Sequence, residues 1–358
     1  MIMYSAIRPA RTGKPRETMT LSTAMEKARE DAGATPQATS TAVAVPTQIR
    51  PMQLTPKRPV LNTAKVLDHV RRILGYWARW DDEHQLNVAA LWTASTWFTN
   101  DEGHLAFAAH PRLFYIAPPS SGKTRGMKLV RSMARNPTGI VKAPVTAPGV
   151  RDALKAGMTV FLDEIDRQMG KGGGHLDIQS LISAYEADTG SLNGRGGYNE
   201  EPIFGPMVLG AKPRILTGTG GYLEDLFERS FIMTPHKSGE VIPRLDDKFE
   251  MATEHMPRVL EIWAEAVRAE NPGVKHLWPI HDMPDSLSDR QREISEPLLA
   301  VADRAVDPDV LAAEGSDTRW AVTGREAVQG MLLGHGSDGA DILADITERL
   351  QALGMDIG

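Results

Sequence analysis

Several features that this sequence lacks exclude particular kinds of site and of protein. Cysteine is absent from the 358 residues, which excludes disulfides, thiolate zinc sites and thiol nucleophiles. The formal net charge is only -6, so any binding to nucleic acid needs a local basic surface. No apolar run approaches the roughly 18 residues of a membrane helix, and the basic N-terminus lacks the apolar core of a signal peptide. We therefore expect a cytoplasmic protein without a membrane segment.

The residue patterns divide the chain into four stretches. Residues 1–60 hold few large apolar side chains and are predicted to be disordered; their basic start is either a phosphate-contacting tail or a solvated leader. Helical spacing characterises 61–108. Strands then alternate with helices through 109–245, which predicts an α/β core with a parallel sheet flanked by helices. The signals in 246–358 are helical again and predict a C-terminal lid domain.

The stretch APPSSGKT, Ala117–Thr124, lies between an apolar strand and a helical pattern. Such a turn directs successive backbone N–H groups at an anion, and the helix N-terminus adds a favourable dipole. Lys123 is expected to reach the β- and γ-phosphates of ATP and the Thr124 hydroxyl to ligate Mg²⁺. Ala117 replaces the first glycine of the usual phosphate-loop pattern, and a chance GKT in an ordinary turn is the alternative. The predicted nucleotide-binding residues are Ser120, Ser121, Gly122, Lys123, Thr124 and Arg125.

A second motif, TVFLDEID, begins at Thr159 and places two acids after an apolar strand. Asp163 at the carboxyl end of that strand is expected to bind Mg²⁺ through water, and Glu164 to polarise the attacking water. An apolar run followed by two acids is weak by itself, because any exposed strand end can carry acids. It follows Lys123 by 40 residues with one probable strand between. Together the two motifs predict ATP binding, and Glu164 predicts hydrolysis.

These motifs carry a family resemblance. APPSSGKT looks like the GPPGTGKT loop of AAA+ ATPases, and 60–305 resembles the DUF3631 family of phage and mobile-element ATPases, which are similar to superfamily-3 helicases. The matching segments are ALWTASTW before the loop, FGP after the acidic motif, LEDLFERSFI and EPLLAVAD. The resemblance implies an oligomeric P-loop ATPase. Family members often carry primase modules or a longer C-terminal region, for which this chain has no room, so we do not expect primase activity.

Residues that would make the protein a ring motor follow from the resemblance. Arg229 ends a helix just before a strand, where AAA+ proteins place the arginine that stabilises charge on a neighbouring subunit's γ-phosphate. The alternative is a surface arginine paired with Asp225, four residues earlier. A sensor group is expected after the strand PMVLGA, with Lys212 as the first candidate and Thr217 as the second.

Further basic residues are candidates for contacts with phosphates. Two glycine-rich insertions carry Lys171, His175 and Arg195, which either grip a nucleic acid backbone in a central pore or belong to surface loops without function. Arg290 and Arg292 precede the EPLLAVAD helix, where they either contact nucleotide phosphate from the lid or begin a solvated helix.

Two functions remain open at this stage. The first is an ATP-driven homo-oligomeric ring acting on DNA in phage or mobile-element replication, which the basic glycine-rich loops favour. The second is an ATP-dependent switch that remodels a protein partner without moving along DNA, which the acidic total and the absence of a recognisable DNA-binding module favour. A packaging motor is a minor third reading, without an acidic nuclease cluster to support it.

Overall fold

The computed structural model describes residues 61–142, 146–168, 181–182, 184–188, 191–193, 200–217, 222–235, 241–310 and 319–333, with a few isolated positions after 343. These residues belong to one compact unit, Lys57–Gly358. The described helices are α1 Thr63–Trp77, α2 Glu83–Ser95, α3 Lys123–Met133, α4 Ala147–Lys155, α5 Ile165–Gln168, α6 Tyr222–Glu228, α7 Asp247–Thr253, α8 Met256–Glu270, α9 Asp289–Ala302 and α10 Arg319–Leu332. The strands are β1 Arg112–Ile116, β2 Pro137–Val141, β3 Thr159–Leu162, β4 Ser191–Asn193, β5 Glu200–Pro202, β6 Met207–Ala211 and β7 Ser230–Met233.

Five of these strands form one sheet with the order β2-β3-β6-β1-β7. Every pairing in it is parallel, so all five strands end at the same edge. β1, β3, β6 and β7 are buried along their whole length, as expected of strands covered by helices on both faces. The α/β prediction with a parallel, helix-flanked sheet is confirmed. β4 and β5 form a separate antiparallel pair.

The helices before and after the sheet share its core. α2 is buried from Gln85 to Ser95, because it packs against α1, α9 and α10. Trp92 at its centre is fully buried and donates from Nε1 to the Pro111 carbonyl at 2.7 Å, so it is a residue of the core. One cluster of buried apolar residues joins α1, α2, the sheet and the helices after residue 246. The three predicted segments from residue 61 onward therefore contribute to one continuous core.

Two details of the sequence interpretation change. β2 is the strand between the two motifs along the chain, but it lies at the sheet edge, and β6 is the strand that separates β1 from β3 in space. The apolar spacing over 176–187 predicts a helix, yet residues 184–188 form turns and a bridge from Glu186 to Ala109. The pairing of this segment with the chain just before β1 replaces its last helical turn. Such a pairing is a long-range contact that local periodicity does not reveal.

Candidate functional site

The predicted phosphate loop lies at the carboxyl edge of the sheet, between the end of β1 and the start of α3. Two of its residues have a left-handed backbone, Ser120 with φ 65° and Gly122 with φ 98°. Gly122 is the N-cap of α3 and offers no side chain to the first N–H groups of the helix. Those N–H groups therefore remain able to donate hydrogen bonds to another acceptor. The helix dipole favours an anion at this position. The buried Ser121 hydroxyl has no hydrogen-bond partner among the described residues.

Three predicted site residues meet directly above this loop. The Lys123 ammonium donates to Asp163 Oδ1 at 2.5 Å, and the Thr124 hydroxyl donates to Asp163 Oδ2 at 3.0 Å. Lys123 and Asp163 are almost fully buried, so the pair is screened little by solvent. Residues 40 positions apart in the chain, one at the start of α3 and the other just after β3, thus share one ion pair.

The charge state of Asp163 follows from these contacts. Burial alone would raise the pKa of its carboxyl group. The hydrogen bond and charge of Lys123, the Thr124 hydroxyl and the Glu164 amide outweigh burial, so the pKa is lowered below its usual value. Asp163 is therefore an anion at neutral pH and offers oxygen ligands of the kind that Mg²⁺ prefers.

Glu164 begins the turn that follows β3. Its backbone is left-handed, with φ 61°, which is uncommon for a residue with a side chain. Its amide donates to Asp163 Oδ1 at 2.8 Å, and its carboxylate pairs with Arg167 at 2.8 Å. Glu164 lines the same cavity as Lys123.

A glycine on β6, which sequence reasoning did not identify, makes room for the Asp163 carboxylate. A Cβ atom at Gly210 would lie 2.7 Å from Asp163 Oδ1 and 3.0 Å from the Met127 sulfur. Both distances are shorter than an ordinary van der Waals contact. Because β6 lies between β1 and β3, a side chain at this position would push Asp163 away from Lys123. The signal for Gly210 in the sequence was a lone glycine inside an apolar strand.

The end of β6 is fixed by a second carboxylate from the acidic motif. Asp166, with a side chain only 1% exposed, accepts the Lys212 backbone N–H at 3.1 Å and Arg214 Nε at 2.7 Å. Lys212 therefore directly follows β6, the strand that lies between β1 and β3 in the sheet. A sensor was expected at this position. Thr217, the second sensor candidate, ends a short 3₁₀ helix, Pro213–Thr217.

The loop, Asp163, Glu164 and Lys212 enclose a cavity of about 470 Å³. Basic side chains in its wall outnumber acidic ones by four to two, so it suits an anionic ligand. Lys142, at the end of β2, is a wall residue that sequence reasoning missed. Its signal was only a single lysine inside the apolar stretch GIVKAPVT, which predicts a strand over 139–146. The residues that line the cavity are Ala117, Pro118, Pro119, Ser120, Gly122, Lys123, Thr124, Arg125, Lys142, Asp163, Glu164 and Lys212.

Arg125 connects the start of α3 to two distant segments. Its Nη1 atom donates to the Trp77 carbonyl at 3.1 Å and to the Pro243 carbonyl at 2.6 Å. The guanidinium group lies in the cavity wall, but those two carbonyls already take hydrogen bonds from it. Arg125 therefore ties the loop to the end of α1 and to the chain before α7.

Arg229 lies at the opposite, amino edge of the sheet. It precedes β7, and its backbone carbonyl accepts from the N–H of Arg112, the first residue of β1. Its guanidinium group donates to the Asp225 carbonyl at 2.8 Å and lies 3.5 Å from the Asp225 carboxylate. Arg290 lies at this same edge, whereas Arg292 bonds the carbonyl of Leu287. None of these arginines lines the cavity of the same chain.

Lys171, His175 and Arg195, the candidates for contact with nucleic acid, lie outside the described residues. In the part of the chain that is described, no group of three or more His, Asp or Glu side chains converges as a metal cluster. Within that same part, no helix is both long and apolar enough to cross a membrane.

Comparison with known proteins adds no relative. A scan against models of protein families finds no match to this chain. A search of curated proteins also finds no match. The proposed function therefore rests on the geometry of the cavity and on the residues that line it.

Proposed function

We propose that this chain is a P-loop ATPase of the AAA+ or superfamily-3-like kind, which binds ATP with Mg²⁺ and hydrolyses it as a homo-oligomer. The observation that carries the proposal is the convergence of Lys123, Thr124 and Asp163 at the carboxyl edge of the sheet. In P-loop ATPases, a lysine, a hydroxyl group and a carboxylate near a helix N-terminus hold a nucleoside triphosphate and its magnesium ion. Two separate sequence motifs supply these three side chains, which supports the proposal.

The residues present fit a magnesium ion. The Thr124 hydroxyl and the Asp163 carboxylate are hard oxygen donors 3.0 Å apart, so an ion held by Thr124 would have the carboxylate beside it to hold one of its waters. Mg²⁺ usually takes one or two protein oxygens and completes its shell with water and phosphates. The ion would neutralise charge on the β- and γ-phosphates. The protein's part is to keep both oxygens fixed and Asp163 ionised.

Hydrolysis is assigned to Glu164. Glu164 lines the cavity next to Asp163, and its carboxylate is proposed to orient and polarise a water against the γ-phosphate. In the present arrangement Arg167 holds that carboxylate. Arg167 is 57% and Glu164 is 21% exposed, and a partly exposed pair is worth only about 0–1 kcal/mol, so a bound water and phosphate can replace it. Lys123 contacts the phosphates, and Lys212 senses the γ-phosphate from the end of β6.

The active site is shared between copies in this proposal. β1 has five residues, so roughly 13 Å of strand separates its amino end beside Arg229 from the loop at its carboxyl end. Arg229 therefore acts on the nucleotide of a neighbouring copy, and a ring of identical copies supplies one such arginine to every site. An isolated monomer should hydrolyse ATP poorly.

We propose that this motor moves along DNA during phage or mobile-element replication. The proposal for DNA depends on the glycine-rich insertions with Lys171, His175 and Arg195. A protein-remodelling switch is the second candidate, because the chain is acidic overall, at -6. The two differ in whether DNA stimulates ATP turnover and whether added salt removes that stimulation.

The test combines ATP binding with turnover in three proteins. Wild type is expected to bind a fluorescent ATP analogue and to hydrolyse ATP with Mg²⁺. Lys123→Ala should lose both, while Lys128→Ala, at an exposed position on the same helix, should behave as wild type. Turnover that persists in Lys123→Ala, or wild type that binds no ATP, would refute the proposed function. Turnover that DNA does not change would favour the remodelling switch.

A further inference from the structure

Three arginines surround Tyr185 at the amino edge of the sheet. The guanidinium carbons of Arg112, Arg229 and Arg290 lie 5.5, 5.7 and 5.7 Å from the centre of its ring. These distances lie within the roughly 6 Å over which a ring attracts a cation. The three arginines come from β1, from the turn before β7 and from the first turn of α9. One aromatic ring therefore sets the spacing of cations from three separate elements.

The base of this cluster is buried and incompletely paired. Arg112 is fully buried, and only its Nη2 atom donates a hydrogen bond, to the Ile182 carbonyl at 3.2 Å. Its Nε and Nη1 atoms have no hydrogen-bond partner among the described residues. Burial lowers the pKa of Arg112 to about 9, with Tyr185 opposing that shift and Arg229 adding to it. Arg112 therefore remains a cation at neutral pH.

Folding stability alone does not explain a buried and incompletely hydrogen-bonded arginine such as Arg112. Unpaired polar atoms in the interior reduce stability, and well-packed apolar residues often replace buried charges without loss. Each such group in a native protein calls for an explanation. A function at the rim, where Arg229 and Arg290 are 15% and 33% exposed, supplies one.

We propose that Arg290 is a second arginine that contacts the nucleotide phosphates of the partner copy beside Arg229, and that Tyr185 is the positioning residue for both. This inference rests on the proposed ATPase function. The positive charge of Arg112 beneath the ring repels the two rim guanidinium groups and favours their outward orientation. Two arginines held at a fixed spacing can contact separate oxygens of one triphosphate.

Carboxylates hold the rim arginines in the single chain. Arg290 lies 2.5 Å from Glu293 and 3.5 Å from Glu186, and Arg229 lies 3.5 Å from Asp225. Glu186 and Glu293 are each 32% exposed, and Asp225 is 52% exposed. Ion pairs with partly exposed groups contribute little to stability. A triphosphate carries more negative charge than any of these acids. Docking of a second copy can therefore exchange carboxylate oxygens for phosphate oxygens at small cost.

The experiment measures kcat, KM and binding of a fluorescent ATP analogue for wild type, Arg290→Gln and a matched control. Arg258→Gln is the control, because Arg258 also pairs at 2.5 Å with a glutamate three residues later on its helix. We expect Arg290→Gln to lower kcat by roughly a hundredfold, with ATP binding and KM within a factor of two. Arg258→Gln should match wild type. Wild-type kcat in Arg290→Gln would overturn the inference while leaving the proposed function intact.

Mixing separates action on the partner from action within one chain. Equal amounts of Arg290→Gln and Glu164→Gln should regain turnover that neither has alone, because each supplies what the other lacks. Absence of recovery would overturn the assignment to the partner's nucleotide. Wild type that neither binds nor hydrolyses ATP would instead refute the proposed function itself.

The positioning role of Tyr185 has its own variants. Tyr185→Phe keeps the ring face and removes only the hydroxyl, so kcat should stay close to the wild-type value. Tyr185→Leu removes the ring face, and kcat should fall as in Arg290→Gln with ATP binding retained. Loss of turnover in Tyr185→Phe, or wild-type turnover in a folded Tyr185→Leu, would contradict the positioning role.

Discussion

Replacing Gly210 with alanine tests whether the glycine on β6 sets the position of the Asp163 carboxylate. The added methyl group would meet Asp163 Oδ1 at 2.7 Å and the Met127 sulfur at 3.0 Å. An ordinary contact begins near 3.4 Å, so the carboxylate or the strand must move by about 0.7 Å. Overpacking of this kind lowers the free energy of unfolding by about 1–3 kcal/mol. A misplacement of about 1 Å in an active site can lower turnover about a hundredfold.

The assay for Gly210→Ala has two readouts and a matched control. Urea unfolding should show the loss of stability, and steady-state ATP turnover should fall by about ten- to a hundredfold. Gly139→Ala on β2 is the control, because a Cβ atom there has no neighbour within 4 Å and the glycine does not need a positive φ. It should leave both readouts close to wild type. Turnover and unfolding of Gly210→Ala that match Gly139→Ala would refute the argument that this glycine positions Asp163.

Three further predictions concern other parts of the structure. Arg229→Ala should bind ATP normally but lose turnover by about a thousandfold or more; wild-type turnover in a kinetic assay would contradict the shared site. Asp166→Asn should lower kcat more than it changes KM, because the amide of Lys212 loses a charged acceptor, and should lower the unfolding free energy by about 1 kcal/mol; unchanged kcat would argue against Lys212 as a sensor. Burial lowers the pKa of His110 to about 3, so between about pH 6.5 and 3 the unfolded chain binds a proton that the folded chain does not. The free energy of unfolding therefore decreases by about 1 kcal/mol for each unit by which the pH is lowered in this range. Urea unfolding at pH 7, 6 and 5 should show a slope that becomes smaller in His110→Gln, and equal slopes would contradict this account.

The local parts of the site could be predicted from the sequence. The apolar run before Ala117 and the helical spacing after Lys123 gave the strand, the loop and the helix within one or two residues. The same holds for β3 and the acids that follow it. These predictions succeed because a buried parallel strand and a helix N-terminus are set mainly by neighbouring residues.

The tertiary parts could not be predicted in the same way. Nothing local specifies that β6 lies between β1 and β3, so the roles of Gly210 and Lys142 were not recognised. Asp166 was part of the quoted acidic motif, but its bond to the Lys212 amide depends on that same strand order. The grouping of Arg112, Arg229 and Arg290 around one ring likewise joins residues far apart in the chain. Such contacts follow from packing rather than from periodicity.

The most direct test of the central claim mixes two variants that are each inactive. Arg229→Ala keeps Glu164 and Glu164→Gln keeps Arg229, so an equal mixture should form some interfaces with both groups intact. If each site takes its arginine from one neighbour in a ring, about a quarter of the interfaces are complete. The account predicts recovery of ATP turnover toward about that fraction of wild type. A mixture as inactive as its two components would contradict an ATPase site shared between copies of this chain.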